Sequence, residues 1–114
     1  MDSQTFVDVI KEVVTEGTVK LIQDVLIKPP GRAPSEDFVA MSQWYNNLKD
    51  GDKAMLLSII RETANSTVFG FFCVLDGVRA IENDNKGVLK LYHEADGRSV
   101  LLNNHDEDYL HELM

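Results

Sequence analysis

With 114 residues, 44% of them hydrophobic and 26% charged, the chain has the balance of one soluble globular domain, neither disordered nor fibrous. Eleven Lys and Arg against nineteen Asp and Glu leave a formal charge of −8, which argues against a role in gripping nucleic-acid phosphates or anionic lipid and favours a basic partner. A single Cys excludes an intrachain disulfide scaffold and fits a reducing compartment.

The opening MDSQTFVDVIK lacks the basic start and apolar stretch of a secretory signal. The longest apolar run, Val68 to Leu75, is about half the roughly 18 residues that a membrane span needs. A cytoplasmic location away from membranes is the expectation.

From Ser3 to Ile27, Phe6, Val9, Ile10, Val13, Gly17, Leu21 and Val25 recur at steps of three and four, which predicts an amphipathic helix capped by Asp2 or Ser3. Gly17 weakens its middle, so a bend, close packing or a junction of two helices is expected there. All three prolines then fall in Lys28–Pro34, a connector. Ser35 is an N-cap, with Glu36 and Asp37 in the first turn of a second helix reaching about Lys49. Trp44 and Tyr45 point about 100° apart on it, so one ring is expected in the core and the other partly exposed.

Asp50-Gly51-Asp52 reads as a stop and a new cap, with a third helix from Asp52 or Lys53 carrying Met55, Leu56, Ile59, Ile60, Thr63 and Ala64 inward. Asn65 and Ser66 can cap a fourth helix running to Leu75 or on through Val78 and Ile81. The competing reading is a hairpin turning on Asp76-Gly77, with strands Thr67 to Leu75 and Val78 to Glu82. Cys73, with apolar neighbours, reads as a buried structural thiol.

Val88 to His93 and Ser99 to Leu102, joined through Asp96-Gly97, form the clearest hairpin. A two-residue type I′ turn pairs Ala95 with Arg98, His93 with Val100 and Leu91 with Leu102, and the face of Leu89, Leu91, Val100 and Leu102 is expected on the helices. Asn103 or Asn104 would cap a short final helix whose Tyr109, Leu110, Leu113 and Met114 pack inward. The fold class is α+β and mostly helical: one domain over residues 1–114, with a helical part over about 3–81 and a hairpin with terminal helix over about 86–114.

Chemistry is sparse. The closing stretch holds the densest group of ligating side chains, and His105, Asp106, Asp108 and His111 are the metal candidates, because in a helix His111 follows Glu107 by four residues and Asp108 by three. The simpler reading is that these acids stabilise a helix start. No nucleophile elbow or glycine-rich phosphate loop is present, so a nucleotide-dependent or serine-type enzyme is disfavoured, and no cofactor is implied.

The favoured function is a non-catalytic interaction module recognising a basic protein, with Asp106, Glu107, Asp108 and Glu112 as contacts, joined by Glu82 and Asp84 if the fold brings them near. In size and charge, not in motif, the chain is similar to immunity proteins that neutralise cationic nuclease toxins. The alternatives are a metal binder or metal-dependent hydrolase on the His/Asp-rich segment, and a structural homo-oligomer, such as a homodimer associating through the amphipathic helices.

Overall fold

Asp2 starts the first helix as expected: its Oδ1 accepts the Thr5 N–H at 2.8 Å. In a computed structural model, which describes residues 1–80 and 87–114, α1 (Ser3–Ile10), a π-helical segment (Lys11–Glu16) and α2 (Gly17–Ile27) follow one another without leaving helical backbone angles. The irregularity expected at Gly17 is thus the π turn that ends just before it. No close packing accompanies it, since a Cβ on Gly17 would meet only the Glu12 carbonyl oxygen at 4.0 Å.

The wider turn changes which face is inward. Val7, Thr15, Val19, Val25 and Leu26 are buried, whereas Val9, Val13 and Leu21, expected on the inner stripe, are exposed. Successive steps of four through the π segment hold positions 7, 11, 15 and 19 on one side, where an unbroken α-helix would let them drift. Thr15 lies inside this turn, and its hydroxyl has no hydrogen-bond partner among the described residues.

Helix α3 (Glu36–Asn46) begins where Ser35 Oγ accepts the Phe38 N–H at 3.2 Å. It stops three residues short of Lys49. Asn46 Nδ2 turns back to donate to the Leu26 and Ile27 carbonyls, so a side chain of α3 satisfies the end of α2. Tyr45 is 4% exposed and Trp44 57%, the division that helical geometry implies.

The third and fourth expected helices are one, α4 (Asp50–Leu75), 26 residues long. Its polar middle does not interrupt it because side chains bond within the helix: Thr63 and Thr67 hydroxyls donate to the carbonyls of Ile59 and Thr63, and Ser66 to Glu62. The hairpin at Asp76-Gly77 is not formed, and the helix does not continue through Val78. Val78 N–H donates to the Cys73 carbonyl at 3.0 Å and Gly77 N–H to Val74 at 3.1 Å, a Schellman stop, with Gly77 at φ 77 where a side chain would be strained. Ile81 and Glu82 lie outside the described residues. Cys73 is buried as a free thiol.

Strands β1 (Tyr92–Ala95) and β2 (Arg98–Leu101) pair antiparallel with Ala95 opposite Arg98 and His93 opposite Val100. Asp96 and Gly97 both have positive φ, 52 and 72, as a type I′ turn requires. The Leu102 N–H donates to the Leu91 carbonyl at 2.8 Å, carrying the expected register one pair further. The first strand starts at Tyr92 and not at Val88, because the Leu89 carbonyl and the Leu91 N–H are taken by the Asn103 side chain. Only the root of the hairpin packs: Leu102 is buried and Leu91 partly so, while Leu89 and Val100 are exposed.

The final helix is shorter than expected, one 3-10 turn over Leu110–Leu113. Its Leu110 joins Val7, Phe72 and Leu75 as a core cluster, against which Phe6, Ile10, Leu113 and Met114 pack. The Phe6 and Phe72 rings lie 6.0 Å apart. This core binds the start of the first helix and the end of α4 to the C-terminus. Among the described residues no helix is long and apolar enough to cross a membrane.

Because Gly17 is exposed, helical and unopposed, Gly17→Ala should stabilise the protein by about 1 kcal/mol. Calorimetry should show a melting temperature raised by about 4 °C, and no rise would mean that the π turn needs glycine at its edge.

Candidate functional site

The polar centre of the molecule is Asp76, whose side chain is wholly buried at the C-cap of α4. The 3-10 helix presents free N–H groups at its start, and Tyr109, its N-cap residue, supplies no side-chain acceptor. Asp76 supplies it from across the fold. Its Oδ1 accepts the Leu110 N–H at 3.0 Å and its Oδ2 the His111 N–H at 2.9 Å. His111 Nδ1 lies 2.7 Å from the same Oδ2. With a proton on Nδ1 the ring donates to the carboxylate.

Two aromatic rings pack on the imidazole. Tyr109 stacks on it at 5.7 Å and 20°, and Phe69 of α4 meets it edge-on at 5.6 Å. His105 meets Tyr109 edge-on at 5.7 Å, extending the aromatic row. A second buried polar group, Asn103, completes the arrangement. Its Nδ2 donates to the carbonyls of Leu75 at 2.7 Å and Leu89 at 2.8 Å, and its Oδ1 accepts the Leu91 N–H at 2.8 Å. The side-chain amide thus stands in for a strand neighbour and satisfies the C-terminal end of α4.

A cleft of about 380 Å³ opens beside His111, walled by Lys11, Glu62, Asn65, Ser66 and Phe69. It shares Lys11, Glu62 and Asn65 with a second cleft of about 430 Å³ along the first helix, where Arg61 pairs with Glu16 at 3.1 Å. An oriented Asp–His pair beside a serine has the parts of a general base and a nucleophile. Here Ser66 donates to Glu62 at 3.2 Å, and the hydrogen bonds of His111 among the described residues all go to Asp76. The geometry makes the pair a clamp between α4 and the C-terminus.

The metal candidates are not brought together. His105 and His111 each pack against the Tyr109 ring, His111 Nδ1 is engaged by Asp76, and Asp106 and Asp108 are exposed in a turn that is not helical. The helical spacing of Glu107, Asp108 and His111 therefore does not apply. Among the described residues no three His, Cys, Asp or Glu side chains are grouped to hold a metal ion.

The contact candidates Asp106, Glu107, Asp108 and Glu112 are all exposed and form no ion pair among the described residues. Asn103 anchors one end of this acidic turn and Asp76 the other, and Asn104 Oδ1 accepts the Asp106 N–H at 3.1 Å within it. Glu82 and Asp84 lie outside the described residues.

Sequence reasoning missed Asp76, taken as a turn residue, and Asn103, taken as a cap. The signal available for Asp76 was its place after a long apolar run and before Gly77. Nothing in the spacing points from it to a partner 35 residues on.

Asp76→Ala removes the acceptor of a buried N–H and should cost about 3–5 kcal/mol in chemical denaturation, whereas Asp76→Asn should cost less; a loss below about 1 kcal/mol for alanine would mean that the clamp is not what holds the C-terminus. No protein-family model, curated protein or solved structure matches the chain.

Proposed function

We propose that the protein is a non-catalytic interaction module of the cytoplasm that meets a basic protein through Asp106, Glu107, Asp108 and Glu112. The supporting observation is an exposed acidic turn, without ion pairs among the described residues, held at both ends by buried side chains. Asp106, Glu107 and Asp108 on an anchored turn, and Glu112 on the 3-10 helix that follows it, are already positioned, so less conformational freedom is lost on binding than a mobile tail would lose. The charge of the whole molecule acts in the same direction: −8 speeds encounter with a cation-rich surface and repels nucleic acid. Likeness in size and charge to immunity proteins makes a cationic toxin one kind of partner that fits.

The triple reversal Asp106→Lys, Glu107→Lys and Asp108→Lys should weaken the complex by about tenfold or more in a pull-down with a quantified basic partner. The wild-type complex should weaken when salt is raised from about 0.05 to about 0.3 M. Recovery unchanged by the reversal would place the contact elsewhere.

A further inference from the structure

Thr63 and Thr67 of α4 are satisfied as threonines inside a helix commonly are: each hydroxyl donates at 2.8 Å to the carbonyl four residues back. Thr15 makes no such bond. It stands in the π segment, is 4% exposed, and its Oγ1 has no hydrogen-bond partner among the described residues. A buried hydroxyl without a partner costs stability, and one kept at a π turn points to a function for that turn.

Thr15 is also the floor of the cleft of about 430 Å³ between the first helix and α4: of the residues that line it, Thr15 alone is buried. Asp8 and Glu12 stand on the wall made by the first helix and Glu62 on the wall made by α4, with Lys11 among them. Arg61 and Glu16, at the same cleft, are closed on each other by hydrogen bonds of 3.1 and 3.2 Å. Three carboxylates against one ammonium leave the lining negative. The cleft shares Lys11, Glu62 and Asn65 with the one beside His111, so a long ligand has room beyond the floor.

A metal ion needs ligands that converge on one point, and among the described residues no such group exists. The carboxylates are instead strung along the cleft, Asp8 and Glu12 being four helical residues or about 6 Å apart. A cation whose charges are spread along a chain matches this lining. A primary ammonium has three donors, enough for a floor hydroxyl and two carboxylates at once. We propose that the cleft binds the ammonium groups of a linear aliphatic polyamine, with Thr15 Oγ1 accepting at the floor and Glu12 and Glu62 holding the charge from opposite walls. Lys11 and Glu12, exposed and without ion pairs among the described residues, swing aside to uncover the hydroxyl. The site is separate from the acidic turn and takes a small polycation in place of a protein surface.

Isothermal titration calorimetry of the full chain with spermine in about 0.1 M salt tests this. The expected result is one saturable site per chain. Thr15→Val should raise the melting temperature of the free protein, because it removes the orphaned hydroxyl, and yet weaken spermine about tenfold. A Thr15 with a merely structural role would give the first effect without the second. Glu12→Gln combined with Glu62→Gln, both at exposed positions, should also weaken spermine about tenfold and leave the circular dichroism spectrum unchanged. Asp106→Asn, Glu107→Gln and Asp108→Asn together should leave the affinity as it is, so failure of the acidic-turn reading and failure of this one are separately visible. Absence of a saturable site, or an affinity that follows the acidic turn and not Thr15, Glu12 and Glu62, overturns the proposal. Tighter binding of a trilysine peptide than of spermine overturns it too, because that order assigns the cleft to the lysine side chains of a protein.

Discussion

A buried carboxylate that accepts N–H groups from the far end of the chain is the interaction on which the C-terminal third depends. Asp76 ends α4 with its backbone N–H, which donates to the Phe72 carbonyl, and caps the 3-10 helix with its carboxylate, so one residue serves both termini where they meet. The charge has a favourable place there, since helix starts attract anions and the Leu110 and His111 amides point at it. Without those donors the same carboxylate would be a buried unpaired charge, so the 3-10 turn and Asp76 each require the other.

Side-chain bonds to backbone perform the same service elsewhere. Among the described residues the C-terminal region has only a hairpin of two four-residue strands and one 3-10 turn of regular structure, too little to dock by ladder hydrogen bonds. Asn103 joins it to α4 and to the segment before β1, and Ser3 Oγ donates to the Leu102 carbonyl at 2.7 Å, tying in the first helix. Hydrophobic burial by Val7, Phe72, Leu75 and Leu110 surrounds these bonds and excludes water from them, which raises the cost of breaking any one. The result is a firm end of the molecule on which an exposed acidic turn is displayed.

What the sequence made legible was local. Ser35 caps α3 through the amide three residues on, and Asp96-Gly97 turns a hairpin whose partners adjoin it. The opposed exposure of Trp44 and Tyr45 follows from helix geometry alone. The π turn was not legible, since Val13, Val14 and Thr15 carry no mark separating a wide turn from a normal one, and it rotated the inner face away from Val9, Val13 and Leu21. The continuity of α4 was hidden because Asn65 and Ser66, read as caps, stand equally well inside a helix, where Ser66 Oγ donates to Glu62. Asp76 and Asn103 were misread for a different reason: their decisive partners are 35 and 28 residues away, beyond what local spacing encodes.

Two kinds of surface coexist on this frame, an acidic turn at the firm end and, between the first helix and α4, a groove lined by aliphatic side chains and threonines. The display of the acidic turn depends on the C-terminus and α4 behaving as one cooperative unit. Native-state amide hydrogen exchange tests that directly. If Asp76 joins them, the Leu110 and His111 amides should exchange only with the same opening free energy as the amides of Phe72 to Leu75 in α4. Exchange of Leu110 and His111 by a separate low-energy opening, with α4 still protected, would contradict it.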